Sequence, residues 1–242
     1  MTQLKVEFFH DVICSFCFPM SYRMREVKKQ VPELNIIHRS FALAPTQNDL
    51  KLMFGSLEKA KEEIMSHWEQ ANQNDTLHRF NIEGMKEQDF IFPYSMNGLR
   101  AAKAAGIIGG EAMYWDVFDI LQTALFVDNL DIADEAVIFN LLNAYEGIDF
   151  ETWKSVYQNN DTKIAVESDL QLARNYGVNS VPSLIIEGKY IVNGALPEAQ
   201  LVKTFKKLIA DKKAEEKPQP LPLDLGQEGE ACNFEDGKWK CD

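Results

Sequence analysis

An apolar stretch over residues 4–11 predicts a buried strand, and the amphipathic pattern of residues 18–30 predicts a helix behind it. Residues 34–41 predict a second strand, with Pro32 marking the break before it. A strand–helix–strand unit of this length implies a parallel pair with a right-handed crossover. After Pro45 the period changes. Residues 56–72 place Leu57, Ala60, Ile64 and Trp68 at helical spacing, and residues 95–105, 110–125, 132–144 and 149–158 follow as further helices, many opening with Ser, Asp or Gly. The span 45–160 contains no convincing strand and reads as a helical insertion. Residues 162–176 predict another helix, with Gly177 at the expected C-terminal cap. The run Ser180-Val181-Pro182 then enters an apolar strand, Ser183-Leu184-Ile185-Ile186, and Glu187-Gly188 predicts a hairpin turn into residues 189–192. Residues 197–213 close the pattern as an amphipathic helix.

Beyond residue 217 the texture is different. Pro218, Pro220 and Pro222, then Gly226 and Gly229 among acidic residues, predict an extended and weakly ordered tail. The expected organisation is therefore an α/β fold of order β-α-β, helical insertion, α-β-β-α. Residues 1–44 and 161–213 form one domain, 45–160 an all-helical insertion domain, and 214–242 a tail that carries cysteines.

The junction between the first strand and the first helix carries the candidate chemistry: Cys14-Ser15-Phe16-Cys17. A cysteine at a helix start meets unsatisfied amide N–H groups and the positive end of the helix dipole, which favour a thiolate. A thiolate attacks disulfides, and a second cysteine three residues on can resolve the mixed disulfide. Composition narrows the context. The formal charge of −12 argues against a nucleic acid or an acidic membrane surface as partner. No run approaches the roughly 20 apolar residues of a membrane-spanning helix. Lys5 and Glu7 interrupt what would be the apolar core of a signal peptide, so a cytoplasmic protein is expected. In that compartment paired cysteines point to catalysis, redox sensing or metal binding rather than structural staples. The four cysteines form two pairs, Cys14/Cys17 and Cys232/Cys241.

Phe8-Phe9-His10-Asp11 before Cys14-Ser15-Phe16-Cys17, with Gly177-Val178-Asn179-Ser180-Val181-Pro182-Ser183 far downstream, resembles the DsbA family of thiol oxidoreductases. The resemblance covers about residues 2–213 and is nearest to the family's cytosolic FrnE-like branch. It implies a thioredoxin-like fold with an inserted helical domain, Cys14 as nucleophile and Cys17 as resolving thiol. It also implies a cis Val181–Pro182 bond lying against the dithiol, with Pro182 and Val181 facing the substrate and Phe16 beside them. No cofactor beyond the redox-active disulfide is implied, with glutathione a possible co-substrate and protein or small-molecule disulfides as substrates. Ser15-Phe16 departs from the family's commoner dipeptides, and with no histidine between the cysteines a less oxidising couple than DsbA's is expected.

Other residues are weighed against ordinary structural roles. His10 and Asp11 end the first strand beside the dithiol and are candidates for proton transfer with Cys17. His38, His67 and His78 are scattered, and the charges around Glu62 and Glu63 read as a solvated face. Trp115, Phe118, Leu121 and Leu125 recur at the spacing of a core-facing helix stripe. Phe90-Ile91-Phe92-Pro93-Tyr94 either packs the insertion onto the rest or lines an apolar cleft over Cys14. Asp128 to Glu135 is expected to be an exposed loop and helix start. Eight residues separate Cys232 from Cys241, and Gly237 provides a turn that could join them as a second redox pair or a tail staple. Two further readings remain open at this point. One is a glutathione-dependent isomerase or kappa-type transferase, which shares the fold but usually has serine in place of the first cysteine. The other is a non-catalytic Cys₄ zinc module, for which the second pair is spaced too widely to fit well.

Overall fold

Alternation along the first strand decides how the layers form. In the computed structural model, which describes residues 2–215, 232–235 and 238–241, β1 (Leu4–His10) turns Val6 and Phe8 to one face. There they meet Met20, Met24 and Val27 of α1 (Cys17–Gln30) and Leu201, Phe205 and Ile209 of α9 (Glu198–Glu215). Phe9 faces the other way, onto Ala173 of α8 (Asn160–Tyr176) and Ile185 of β3 (Ser183–Ile186). This is the period-two alternation of a strand covered on both faces.

β2 (Leu34–Ser40) runs parallel to β1 with Leu4 opposite Leu34, and β3 runs antiparallel to β1 on its other edge. The hairpin partner β4 (Tyr190–Asn193) completes the sheet order β2-β1-β3-β4. Glu187 and Gly188 in the hairpin turn both take positive φ, as the expected turn requires. The expected order β-α-β, helices, α-β-β-α is observed. Among the described residues no strand lies between Ser40 and Ser183.

The helices between them differ in detail from the expectation. Two were not anticipated: α2 (Gln47–Phe54) and α4 (Ile82–Lys86). Both are short, and α2 has only Leu50 fully buried, so neither shows a long apolar stripe. Its signal is local: the backbone and hydroxyl of Thr46 both donate to Asp49 Oδ2, at 2.8 and 2.6 Å, in a capping box. α3 (Leu57–Asn74) starts on Ser56, whose hydroxyl accepts from the Lys59 amide. The two helices expected over 95–105 and 110–125 form one span, α5 (Ser95–Phe126), broken at Gly110 with φ 70° and ψ −164°, a conformation open to glycine. α6 (Glu135–Asn143) begins later than expected because Asp134 caps it, leaving Ile132 buried in the preceding loop. α7 (Phe150–Gln158) follows as expected.

The larger apolar cluster joins the insertion to the dithiol segment. Val12, Ile13, Cys14, Cys17 and Phe18 belong to the same cluster as Trp68, Phe92, Phe118 and Phe126. Trp115, on the same stripe as Phe118, packs instead with the sheet and α1. The two strands β5 (Cys232–Glu235) and β6 (Lys238–Cys241) pair antiparallel, with Cys232 directly opposite Cys241. The expected extended tail of residues 216–231 and the turn at Gly237 lie outside the described residues.

Candidate active site

Four segments meet at the end of β1. The chain leaves the strand at His10, turns through Asp11 to Phe16, and enters α1 at Cys17. The Cys17 amide donates to the Cys14 carbonyl at 3.0 Å and the Phe18 amide to the Ser15 carbonyl at 3.3 Å, so the four-residue motif is wound as a turn at the start of the helix. Both thiols are free. Cys17 is fully buried, and Cys14 is 5% exposed.

The downstream turn closes over this motif. The Val181–Pro182 bond is cis, and the Cys14 thiol donates to the Val181 carbonyl at 3.6 Å, joining residues 167 apart in the chain. Ser183 anchors the turn: its hydroxyl donates to the Ser180 carbonyl and meets Asn193 Oδ1 at 2.8 Å.

Asp11 supplies the titratable group of the site. Its carboxylate accepts from the Leu43 amide and the Ser95 hydroxyl, both at 2.7 Å, and from the Ile13 amide at 3.3 Å. Burial pushes its pKa up to about 7, and these hydrogen bonds to the charged form hold it from rising further. The Cys17 thiol is pushed well above its ordinary value, first by burial, then by its hydrogen bond with Cys14 and the charge of that neighbour. The Asp11 charge adds to the same rise, so the two groups sense each other.

His10 is placed differently. It continues the Val6–Phe8 face, and its ring stacks 3.8 Å from that of Phe118. Its Nε2 lies 3.3 Å from Nδ1 of His38, and Tyr114 stacks on both imidazoles. Burial is the main cause that depresses both histidines well below their ordinary value. The mutual charge of the pair and the Lys103 ammonium add to this for His10, and Lys103 and Arg25 for His38. The structure therefore brings Asp11, Cys14, Cys17, Val181 and Pro182 together, and turns His10 toward His38. His38, read as one of several scattered histidines, is half of that buried pair.

Three positioning groups were not anticipated. Gln122, buried in α5, donates through Nε2 to the carbonyls of Asp11 at 3.3 Å and Cys14 at 3.4 Å. Ser95, at the opening of the same helix, bonds Asp11 and also accepts from the Ala44 amide. Gly98 lets α5 approach the motif: a β-carbon there would stand 2.7 Å from Cγ2 of Val12. The opening serine of this helix was visible in the sequence, whereas nothing marked Gln122 or Gly98.

Beside the thiol lies a cavity of about 420 Å³. Cys14, Phe16 and Val181 form its floor with Ile13, and α2 and α3 wall it with Leu50, Phe54 and Ile64. Phe92 also lines it, so the aromatic segment serves both expected roles: Phe92 packs against Trp68 and faces the cavity. His67, another of the scattered histidines, stands at its edge with Gln70. A larger hollow on the insertion, lined by Leu57, Met65 and Phe90 among others, does not include either thiol.

Residues 5–207 match the model of the DSBA-like thioredoxin domain family. No curated protein matches the chain. Among solved structures, a candidate protein disulfide isomerase from Nitrosomonas europaea superposes with a TM-score of 0.69 at 19% identity, covering 89% of this chain and 100% of that one. A probable DsbA oxidoreductase from Streptomyces coelicolor gives 0.64 at 21% identity over 99% of each chain. The cytosolic disulfide reductase DsbM from Pseudomonas aeruginosa gives 0.63 at 17% identity, covering 88% of this chain and 98% of its own. At identities this low, the superpositions establish a shared fold alone.

Proposed function

The chain belongs to the DSBA-like thioredoxin domain family, and from that premise we propose that it is a thiol–disulfide oxidoreductase working through Cys14 and Cys17. The observation that carries this reading is the contact of the Cys14 thiol with the Val181 carbonyl beside Pro182, in a chain whose second thiol is sealed beneath the first. Cys14 attacks a substrate disulfide and releases one thiolate. Cys17 then attacks the Cys14 sulfur, releasing the second thiolate and closing the Cys14–Cys17 disulfide. Pro182 and Val181 border the bound substrate with Phe16. Run backward, the same steps oxidise a dithiol.

Cys17 must lose its proton to act, and burial opposes that loss. Asp11 is the carboxylate that accepts it, because its own pKa of about 7 lets it take and return a proton near neutrality. His10 has no such part in this reading. The redox-active disulfide itself is the only prosthetic chemistry required. We place the reaction in the cytoplasm, in line with the paired cysteines and with the cytosolic DsbM among similar structures.

The FrnE-like assignment and a tail relay rest on Cys232 and Cys241. Their opposed register suits a cross-strand pair that could pass electrons to Cys14–Cys17. Turnover of insulin-type and small disulfides tests the whole reading. Cys14→Ser should fall to the uncatalysed rate, and Cys17→Ser should instead accumulate a mixed disulfide on Cys14. Equal turnover by Cys14→Ser and wild type would refute it. Replacing Cys232 and Cys241 together with Ser should slow steady-state turnover while leaving a single exchange at Cys14 unchanged. Unaltered turnover with a lower melting temperature would leave only a staple.

A further inference from the structure

The cavity beside Cys14 has a chemical character that the exchange reading does not supply. Its walls are Ile13, Leu50, Phe54, Ile64 and Phe92, and its exposed rim carries Leu43 and Met53. Among the described residues that line it there is no Asp, Glu, Lys or Arg. Its polar side chains other than Ser15 are His67 and Gln70, three residues apart on α3 and therefore on one helix face. Cys14 is almost wholly buried and lines this space, so the group bonded to the attacked sulfur occupies it.

Glutathione is a poor occupant of such a space. It carries two carboxylates and one ammonium, and desolvating these without opposite charges or dedicated hydrogen bonds is costly. The protein as a whole carries a formal charge of −12, which repels an anion further. An uncharged aromatic or branched aliphatic group gains from burial against the same walls, and 420 Å³ lies within the ordinary range for small-molecule sites. Resting on the exchange reading above, we propose that this cavity selects a small, uncharged disulfide with an apolar half, and that it discriminates against glutathione.

The reaction balances with no further reagent. The Cys14 thiolate displaces RS⁻ from R–S–S–R and forms Cys14–S–S–R. The Cys17 thiolate then displaces the second RS⁻, so the substrate gains two electrons, the dithiol loses them, and solvent protonates both products. The apolar R group sits against Ile64 and Phe92 while Val181 borders the sulfur. His67 and Gln70 meet whatever hydroxyl or amide the substrate offers at the mouth.

The test uses the full chain, reduced and freed of reductant, and measures oxidation of Cys14–Cys17 by rapid mixing, acid quench and mass spectrometry. The probes are glutathione disulfide, hydroxyethyl disulfide and the mixed disulfide of benzyl mercaptan with mercaptoethanol. Each rate is divided by that probe's rate with free dithiothreitol, which removes intrinsic reactivity. The benzyl probe should exceed glutathione disulfide by about tenfold or more, the scale expected from partly burying one ring. Met53→Lys and Gln70→Lys, both at exposed rim positions, should cut that ratio at least severalfold by raising the glutathione rate. Leu77→Lys, exposed and outside the cavity, should leave the ratio at its wild-type value. A normalised glutathione rate equal to or above the benzyl rate overturns the proposal, as does a ratio that neither rim lysine changes. Failure of all three probes to react faster than with Cys14→Ser overturns the exchange reading itself, which is a different result.

Discussion

His10 and Asp11 are consecutive, both completely buried, and both ionisable, yet the structure uses them in opposite ways. Burial disfavours the charged form of each. For Asp11 that means a proton retained up to about pH 7, and for His10 a proton refused well below the usual range. Hydrogen bonds separate them further. The Asp11 carboxylate has the Leu43 amide and the Ser95 hydroxyl to stabilise its charge, so it can cycle between forms. His10 is enclosed by the rings of Phe8, His38, Tyr114 and Phe118, with the Lys103 ammonium over Tyr114, and among the described residues its Nδ1 has no hydrogen-bond partner, so an imidazolium is disfavoured. In the proposed reading one residue carries the proton and the other is neutral packing. Proximity to the dithiol in sequence did not distinguish them, and strand alternation did.

The largest expected effect breaks the Asp11 side. Asp11→Asn should slow release of substrate by Cys17 by about 10²-fold, the lower end for loss of a general base. The pH–rate profile of that step should lose its inflection near 7. A profile that keeps it would assign the proton to another group. His10→Phe should leave the inflection in place, since its ring lies in the aromatic stack.

The His10 side should show in stability instead. A histidine whose pKa is lowered on folding binds fewer protons than in the unfolded chain, so stability falls as pH drops below 6.5. The loss is at most about 1.4 kcal/mol per pH unit for each histidine. His10→Phe should remove its share, so that its melting temperature gains on wild type steadily from pH 7 to pH 5. Asp11 acts with the opposite sign: the folded chain keeps a proton that the unfolded one loses between about pH 4 and 7, so its contribution falls as pH rises through that window. A His10→Phe difference independent of pH would show that the imidazole is not held neutral.

The smallest effect sharpens the comparison from behind. Gln122→Leu removes the donor to the Asp11 and Cys14 carbonyls and should cost about 1 kcal/mol in denaturant melts. It should also shift the Asp11-side inflection while leaving the acid limb set by His10 and His38. An unchanged inflection would make Gln122 a packing residue only.

Much of this was legible in the chain. The strands, the helix after the dithiol and the long helices of the insertion all follow from apolar period, because each buries a face that its own residues specify. The reactive pair and the Val181-Pro182 turn were visible as motifs. The wall of the cavity was not. α2 is short and exposes most of its residues, so its only mark was the Thr46–Asp49 capping box. His67 sits on a helix rich in charged residues, and no local pattern tells which exposed histidine will line the cavity. Gln122 and Gly98 act through carbonyls and a β-carbon clearance that exist only once α5 lies across the motif.

By itself, then, the sequence determined the order of elements, the family and the two sulfurs, since periodicity and a four-residue motif are local properties. Tertiary structure alone decided which partners surround each of two adjacent acid–base residues, which histidine lines the cavity, and that no Asp, Glu, Lys or Arg among the described residues lines it. Those outcomes depend on approach between segments dozens to well over a hundred residues apart. Burial, pKa and cavity lining are properties of that approach, and no single segment contains them.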